Sequence, residues 1–292
     1  MERRTVWIIV VVVALLLCCC ALTVGGAAVG IGLIPWNWQK SWDFDIKDIN
    51  IPGVESRATM EESFVVEGTP LLDVECPVCD VQIRGRSGDT VEIEATKRSW
   101  SGSKDAAARQ LDGINVTFTQ QGDTVFVKVD IPQLGGAQIG RRASVDLKIS
   151  VPEETDLKLN LDVAQVEVDG IEGQVDIQAD VGEVVLDDVV ARDSLKVRTD
   201  VARIRFNGPL SEGVRYDMRS EVGDIALTLP AGSRFEVDAE SNVGAATCEF
   251  AVSGVEGRKG LVGGRVVGTV GENPTAALEL RSEVGSIRIY ED

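Results

Sequence analysis

The sequence predicts an all-β ectodomain, a β-solenoid built like a single-stranded β-helix from repeats of about 20 residues, behind one N-terminal transmembrane helix. Three observations predict it. First, a seven-residue unit recurs, reading acidic or polar, Val, small, any, apolar, any, apolar. Its copies occupy 162–168, 180–186, 200–206, 221–227 and 283–289, with a decayed copy at 242–248. Their first residues lie 18, 20, 21, 21 and 41 positions apart, and the last gap is close to two periods. Self-similarity at that spacing marks a chain whose units bury their apolar faces only against their neighbours. Second, the fifth and seventh positions of each unit are apolar and alternate with polar ones, as in Val184 and Leu186, which is the half-buried strand pattern. Third, residues 6–24 carry no charge and the apolar character runs on to Ile34, long enough to cross a bilayer.

Taken in order, residues 1–5 hold Arg3 and Arg4 and read as a cytoplasmic N-terminus, and residues 6–34 as a signal-anchor helix. Trp7 at one end and Trp36, Trp38 and Trp42 beyond the other fit interfacial anchoring, and the basic-before, acidic-after flanks put the C-terminal part outside the cell. The rival is a cleaved signal peptide using the small residues 25–28, but signal-peptide apolar regions are usually shorter. Gly26 and Gly30 suit a helix-pairing face, or are simply the small residues common in membrane helices. Cys18, Cys19 and Cys20 follow Leu17, which is not the small residue a lipoprotein signal needs, so they read as apolar residues in lipid.

Residues 35–70 read as a juxtamembrane linker, without sustained periodicity and with Pro52 and Gly53. Asp43, Asp45 and Asp48 lack the glycine and distal Glu of a calcium loop. The β-rich domain spans 71–292. Residues 78–83 fit the recurring unit, with Cys79 at its small position. Val91, Ile93 and Ala95 alternate, and 105–111 is a short helical stretch. Ile114, Val116 and Phe118 face Val125, Val127 and Val129 across Gln121-Gly122-Asp123 as a hairpin. Residues 132–142 form a loop, and Val145 to Val151 a further strand. Within the recurring unit the Val breaks the alternation, and a turn or bulge at the small residue would restore one inward face. That small residue is Ala164, Gly182, Ala202, Gly223, Gly244 or Gly285. Because Ala is accepted, the position is read as requiring smallness where rows approach, rather than a positive φ. On this reading Gly223 sits between Ala202 and Gly244. The variable fourth position, which includes Asp224, faces water.

Composition bounds the chemistry. The net charge of −18 argues against nucleic acid, since no basic stripe meets phosphates. There is no histidine, which removes Ser-His-Asp and Cys-His catalysis and histidine-ligated zinc. The glycines from 260 to 271 lack the P-loop lysine and a following helix. Cys76 and Cys79 leave three readings open: a disulfide across a tight turn, free thiols, or redox or metal chemistry, with Pro77 and strand-like flanks arguing against the last. The acidic row Asp162, Asp180, Asp200, Glu221 and Glu283 would be stacked at about 4.8 Å. Arg198, Arg219 and Arg281, each two residues upstream of a member, are read as neutralising it locally, with calcium as the rival. No catalytic residue, metal site or cofactor is expected.

The Val-Gly-x-Ile/Val units, the terminal Arg281-Ser282-Glu283-Val284-Gly285-Ser286-Ile287 and the opening Asp80-Val81-Gln82-Ile83-Arg84-Gly85 resemble the bacterial putative-adhesin domain family of unknown function, the toastrack-type domains. The resemblance covers roughly residues 71–292 and departs at Cys76-Pro77-Val78-Cys79, where a turn ending in Gly is expected. It implies a tethered, exported β-solenoid-like domain, in some members encoded with envelope-stress sensing systems, and supplies no catalytic residue. The expected function is a non-catalytic interaction or adhesion module at the cell envelope. Its partner would be an unknown surface protein or glycan, or an envelope-stress membrane protein. A polysaccharide-processing β-helix enzyme is the competing class, and would need acidic and basic groups gathered around a pocket.

Overall fold

A computed structural model of the chain describes residues 53–132, 143–254, 258–259 and 263–292. The expected membrane helix with its tryptophans, cysteines and glycines, the loop 133–142 and part of the glycine-rich stretch lie outside the described residues. Among the described residues, no helix is long and apolar enough to cross a membrane.

The described chain is almost entirely strand: β1 (Val54–Val65), β2 (Leu71–Arg86), β3 (Thr90–Ser101), helix α1 (Lys104–Asp112), β4 (Asn115–Gln121), β5 (Thr124–Asp130), β6 (Ala143–Pro152), β7 (Asp156–Asp169), β8 (Glu172–Asp187), β9 (Val190–Asn207), β10 (Arg215–Val222), β11 (Ile225–Leu229), β12 (Phe235–Val243), β13 (Ala246–Cys248), β14 (Val252–Ser253), β15 (Arg258–Lys259), β16 (Gly264–Val270), β17 (Ala276–Val284) and β18 (Ile287–Glu291). They form one open sheet system of 18 strands, not a barrel. The all-β expectation holds, as do the β4–β5 hairpin, β6 and α1. Ser103 caps α1 by accepting the Ala106 N–H at 3.3 Å, and Ala107 and Leu111 bury its inner side.

The centre is a stack of parallel rows. β2 pairs with β7, β7 with β8, and β8 with β9, each in parallel and through one shared bend. Before the bend β9 continues to β10, β17 and β12, and after it to β11, β18 and β13. Each row therefore has two legs. The inner positions are apolar on both, as in Leu157, Leu159 and Leu161, then Ala164, Val166 and Val168. That column of Leu, Val and Ile runs through every row and forms one continuous core. Such burial, at about 25 cal/mol per Å² of apolar area, is what holds rows that have no other partner.

Three expectations are corrected. Residues 54–65, assigned to a linker, form β1, an edge strand paired antiparallel to β3 along its length. Only Met60 and Phe64 of β1 pack against the core, which is why the sequence shows no alternation there. The row beyond Gly223 is also not that of Gly244. The C-terminal strands β17 and β18 slot between β10–β11 and β12–β13, so the rows run Ala202, Gly223, Gly285, Gly244. The chain first builds β12 and β13, turns back through β14–β16 with β16 antiparallel to β12, and then fills the gap. This excursion explains the double-length spacing before Glu283. Thirdly, the Val of each unit lies on the outside. At the bend two consecutive residues point outward, after which Cys79, Ala164 and Ala202 take the inward place, while Gly182, Gly223 and Gly285 are half-buried and Gly244 is exposed.

Candidate functional site

The bend collects the Cys76–Cys79 pair, the small-residue positions and the acidic row. In the first row the Sγ atoms of Cys76 and Cys79 are joined in a disulfide, with Cα atoms 6.2 Å apart and both side chains buried. It ties the last inner residue of one leg to the first inner residue of the next. The equivalent of Cys76 is Leu161, Ala179 or Thr199 in the middle rows and Ser220, Ser282 or Ser241 in the last three. These buried serines, which the sequence reading passed over, stitch rows together. The Ser220 hydroxyl donates to the Ala202 carbonyl at 3.2 Å, Ser282 to Gly223 at 3.0 Å and Ser241 to Gly285 at 2.6 Å. Their signal is a Ser three residues before each of the last three glycines.

At the small position smallness and φ act together, which corrects the expectation that only size matters. Gly182, Gly223, Gly244 and Gly285 adopt φ between +147° and +154°, whereas Ala164 and Ala202 have no positive φ. A Cβ on Gly223 would lie 1.8 Å from the Ala202 carbonyl oxygen, and one on Gly285 2.0 Å from that of Gly223. Alanine is accepted only in rows whose backbone turns its Cβ into the core, where Ala164 and Ala202 are buried.

Outside the bend, Val78, Val163, Val181, Val201, Val222, Val284 and Val243 stack in register. The last six are 36–51% exposed. Beside them runs the column Asp162, Asp180, Asp200, Glu221 and Glu283, with Pro77 and Asn242 in the outermost rows. The expected arginine neutralisation does not occur. Arg198 and Arg219 reach Asp217 at 3.3 and 2.6 Å, Arg219 reaches Glu279 at 2.8 Å, and Arg281 and Arg265 reach Asp238 at 2.6 and 3.2 Å. These pairs form two clusters, one across β9, β10 and β17 and the other across β17, β12 and β16. Asp217 is buried, and a desolvated carboxylate gains most from a guanidinium. At Asp238 burial acts upward, but the hydrogen bonds and charges of Arg281 and Arg265 outweigh it and hold the carboxyl below its ordinary value. Among the described residues Asp162, Asp180, Asp200 and Glu221 make no salt bridge. Asp180 is pushed up by burial, then by the neighbouring carboxylates of Asp200 and Asp162. No group of three or more acidic or cysteine side chains has metal-holding geometry among the described residues.

On the other flank charges pair: Glu183 meets Arg205 at 2.8 Å and Arg203 at 3.7 Å, and Asp224 meets Arg288 at 3.5 Å. Asp224 also accepts the Ser286 N–H at 2.7 Å, so it holds the next row rather than merely facing water. A shallow groove beside the disulfide gathers Glu75, Lys128, Asp130, Asn160 and Asp162, where Lys128 engages Glu75 at 3.1 Å.

No family profile and no curated protein matches the chain. Solved structures do. The chain is similar to solved bacterial putative adhesins. A putative cell adhesion protein from Clostridium sporogenes is 14% identical with a TM-score of 0.47, the match covering 80% of this chain and 100% of that one. A putative adhesin from Bacteroides fragilis is 12% identical at 0.35, covering 80% and 98%. A putative lipid binding protein from Parabacteroides distasonis is 9% identical at 0.24, covering 82% and 95%.

Proposed function

We propose that the chain is a membrane-anchored, extracytoplasmic β-solenoid module that binds a protein or glycan at the cell envelope without catalysing a reaction. Residues 6–34 are the anchor in this reading, and the rows of 18 to 21 residues are its repeats. The observation that carries it is the state of the outward charges. On the legs before the bend they pair with one another in two clusters, Arg198 to Glu279 and Arg281 to Arg265, instead of converging on a pocket. A polysaccharide-processing site needs an acid and a base flanking a cleft. The groove near the disulfide is shallow, its Glu75 is engaged by Lys128, and its remaining carboxylates, Asp130 and Asp162, are what the hydrolysis assay below puts to the test. A charge-paired surface with an exposed apolar edge suits contact rather than turnover. A role beside an envelope-stress sensor is the same reading with a membrane protein as partner.

Two measurements test it. Protease added outside intact cells should degrade the part after Lys40 while the chain fractionates with membranes, and a released form beginning near Ala28 would remove the anchor. Cross-linking in membranes should capture a specific partner, and hydrolysis of an envelope polysaccharide by the purified chain would overturn the binding reading.

A further inference from the structure

The described residues include nine exposed large hydrophobic side chains, and six of them, Val163, Val181, Val201, Val222, Val284 and Val243, are one column. Scattered exposed apolar residues are ordinary, but a contiguous apolar strip beside a strip of single charge is not. Stacking between rows accounts for a β-branched residue at this place and for the buried part of each valine. It does not account for the acids alongside. Pro77 and Asn242 occupy the same position in the outer rows, so the bend does not require a carboxylate. Five successive rows nonetheless carry one, and like charges about 4.8 Å apart disfavour the stack. The guanidinium groups nearby are engaged elsewhere.

We propose that this outer bend is a docking surface for a cationic amphipathic segment of a protein partner, an α-helix with an apolar stripe laid along the valines and Lys or Arg above the carboxylates. This deepens the binding-module reading and rests on it. Charge complementarity selects the occupant. A second copy, itself at −18, would bring another acidic column, and an anionic membrane surface would be repelled. Spacing selects the helix. Rows recur at about 4.8 Å, close to the helical pitch of about 5.4 Å, whereas same-face residues of an extended strand lie about 6.7 Å apart. Seven rows span about 29 Å, the length of a helix of about 20 residues.

The test titrates the full chain in phosphatidylcholine nanodiscs against a labelled 20-residue Lys/Leu amphipathic helix, with empty discs subtracted. Net charge alone attracts cations, so the decisive variant changes no charge. Val201→Ser with Val222→Ser should weaken binding about tenfold or more. Asp180→Asn with Asp200→Asn should weaken it more than Glu61→Gln with Glu62→Gln, which removes the same charge from exposed positions of β1. Unchanged circular dichroism and melting of the serine variant establishes that the surface, not the fold, was altered. Full affinity in the serine variant, equal losses for the two charge pairs, or tighter binding of a Glu/Leu helix would each overturn the proposal. So would concentration-dependent dimers that Val201→Ser dissolves, since the surface would then belong to a second copy. Binding that ignores all ridge variants would remove this surface while leaving the module reading to its own tests.

Discussion

Gly223→Ala should be among the most damaging single-carbon additions available. The new Cβ would lie 1.8 Å from the Ala202 carbonyl oxygen, 2.7 Å from its carbon and 3.0 Å from the Ser220 Oγ. The serine hydroxyl can rotate, but the carbonyl cannot yield without parting the rows of β9 and β10. Overpacking of this kind costs about 1–3 kcal/mol. The φ of +154° adds about 1 kcal/mol, since L side chains avoid that region. A total of about 2–4 kcal/mol is expected, a large share of ordinary domain stability. Gly122→Ala separates the two contributions. Gly122 turns the β4–β5 hairpin at φ +60° with nothing within 4 Å of its added Cβ, so it should show only the conformational cost, about 1 kcal/mol. Urea melts of the full chain and both variants, followed by far-ultraviolet circular dichroism and compared at constant m, measure the difference. Losses for Gly223→Ala and Gly122→Ala that agree within about 0.5 kcal/mol would refute the contact between rows.

Opening the Cys76–Cys79 bridge with a phosphine should lower stability by about 1–2 kcal/mol, the modest effect of a short closed loop, and an unmoved urea midpoint would count against it. Ser282→Ala removes the donor to the Gly223 carbonyl and should cost about 1 kcal/mol, while Ser286→Ala, which leaves the backbone N–H on Asp224, should be nearly silent in the same melts. A double-mutant cycle on Arg281→Ala and Asp238→Ala should return a favourable coupling of about 0.5–1 kcal/mol that falls with salt, and zero coupling would show the Asp238 ion-pair cluster to be decorative. Because the folded state raises the Asp180 carboxyl, it binds a proton there more readily than the unfolded chain. The ionised side chain therefore disfavours folding above the raised value, and the effect disappears as pH falls through it. Asp180→Asn should consequently raise the melting temperature slightly at neutral pH and converge on the parent chain in acid.

Much of this architecture was legible from alternation alone. Val166 and Val168, Val184 and Leu186, and Ile225 and Leu227 announce inward-facing strand residues, and all are buried. What was not legible has physical causes. Rows that share a column are chemically equivalent, so the sequence cannot tell whether Gly223 abuts Gly244 or Gly285. Only the antiparallel return of β16 decides it. β1 buries little and exists because β3 offers it a ladder, not because of its own pattern. Arg219 and Glu221 are two residues apart on one strand, yet the guanidinium goes to the buried Asp217, because burial ranks the competing carboxylates and burial is not written locally. The serine column was visible as Ser-x-x-Gly in the last three rows, but a hydroxyl beside a glycine gains meaning only once the facing carbonyl is placed.

The two ends of the stack follow from the same physics. A parallel row leaves its outer neighbour's N–H and C=O groups unpaired, and another parallel row needs a full return of the chain. An antiparallel strand closes the edge with a short turn. Hence β3 covers β6 and β1 covers β3 at one end, β4 covers β5, and β16 covers β12 at the other. Two strands are left exposed at the first end, β4, which pairs only with β5, and β1, which carries Arg57, Glu61 and Glu62 outward, and charged side chains along a free edge discourage pairing with another chain. The β1 edge is thus guarded by charge and the β13 edge is short at three residues, whereas β4 is a seven-residue edge without a charged side chain. The bend, whose backbone groups are already paired between rows, is where the chain leaves its valines uncovered, so the partner proposed above would meet side chains there rather than add a strand.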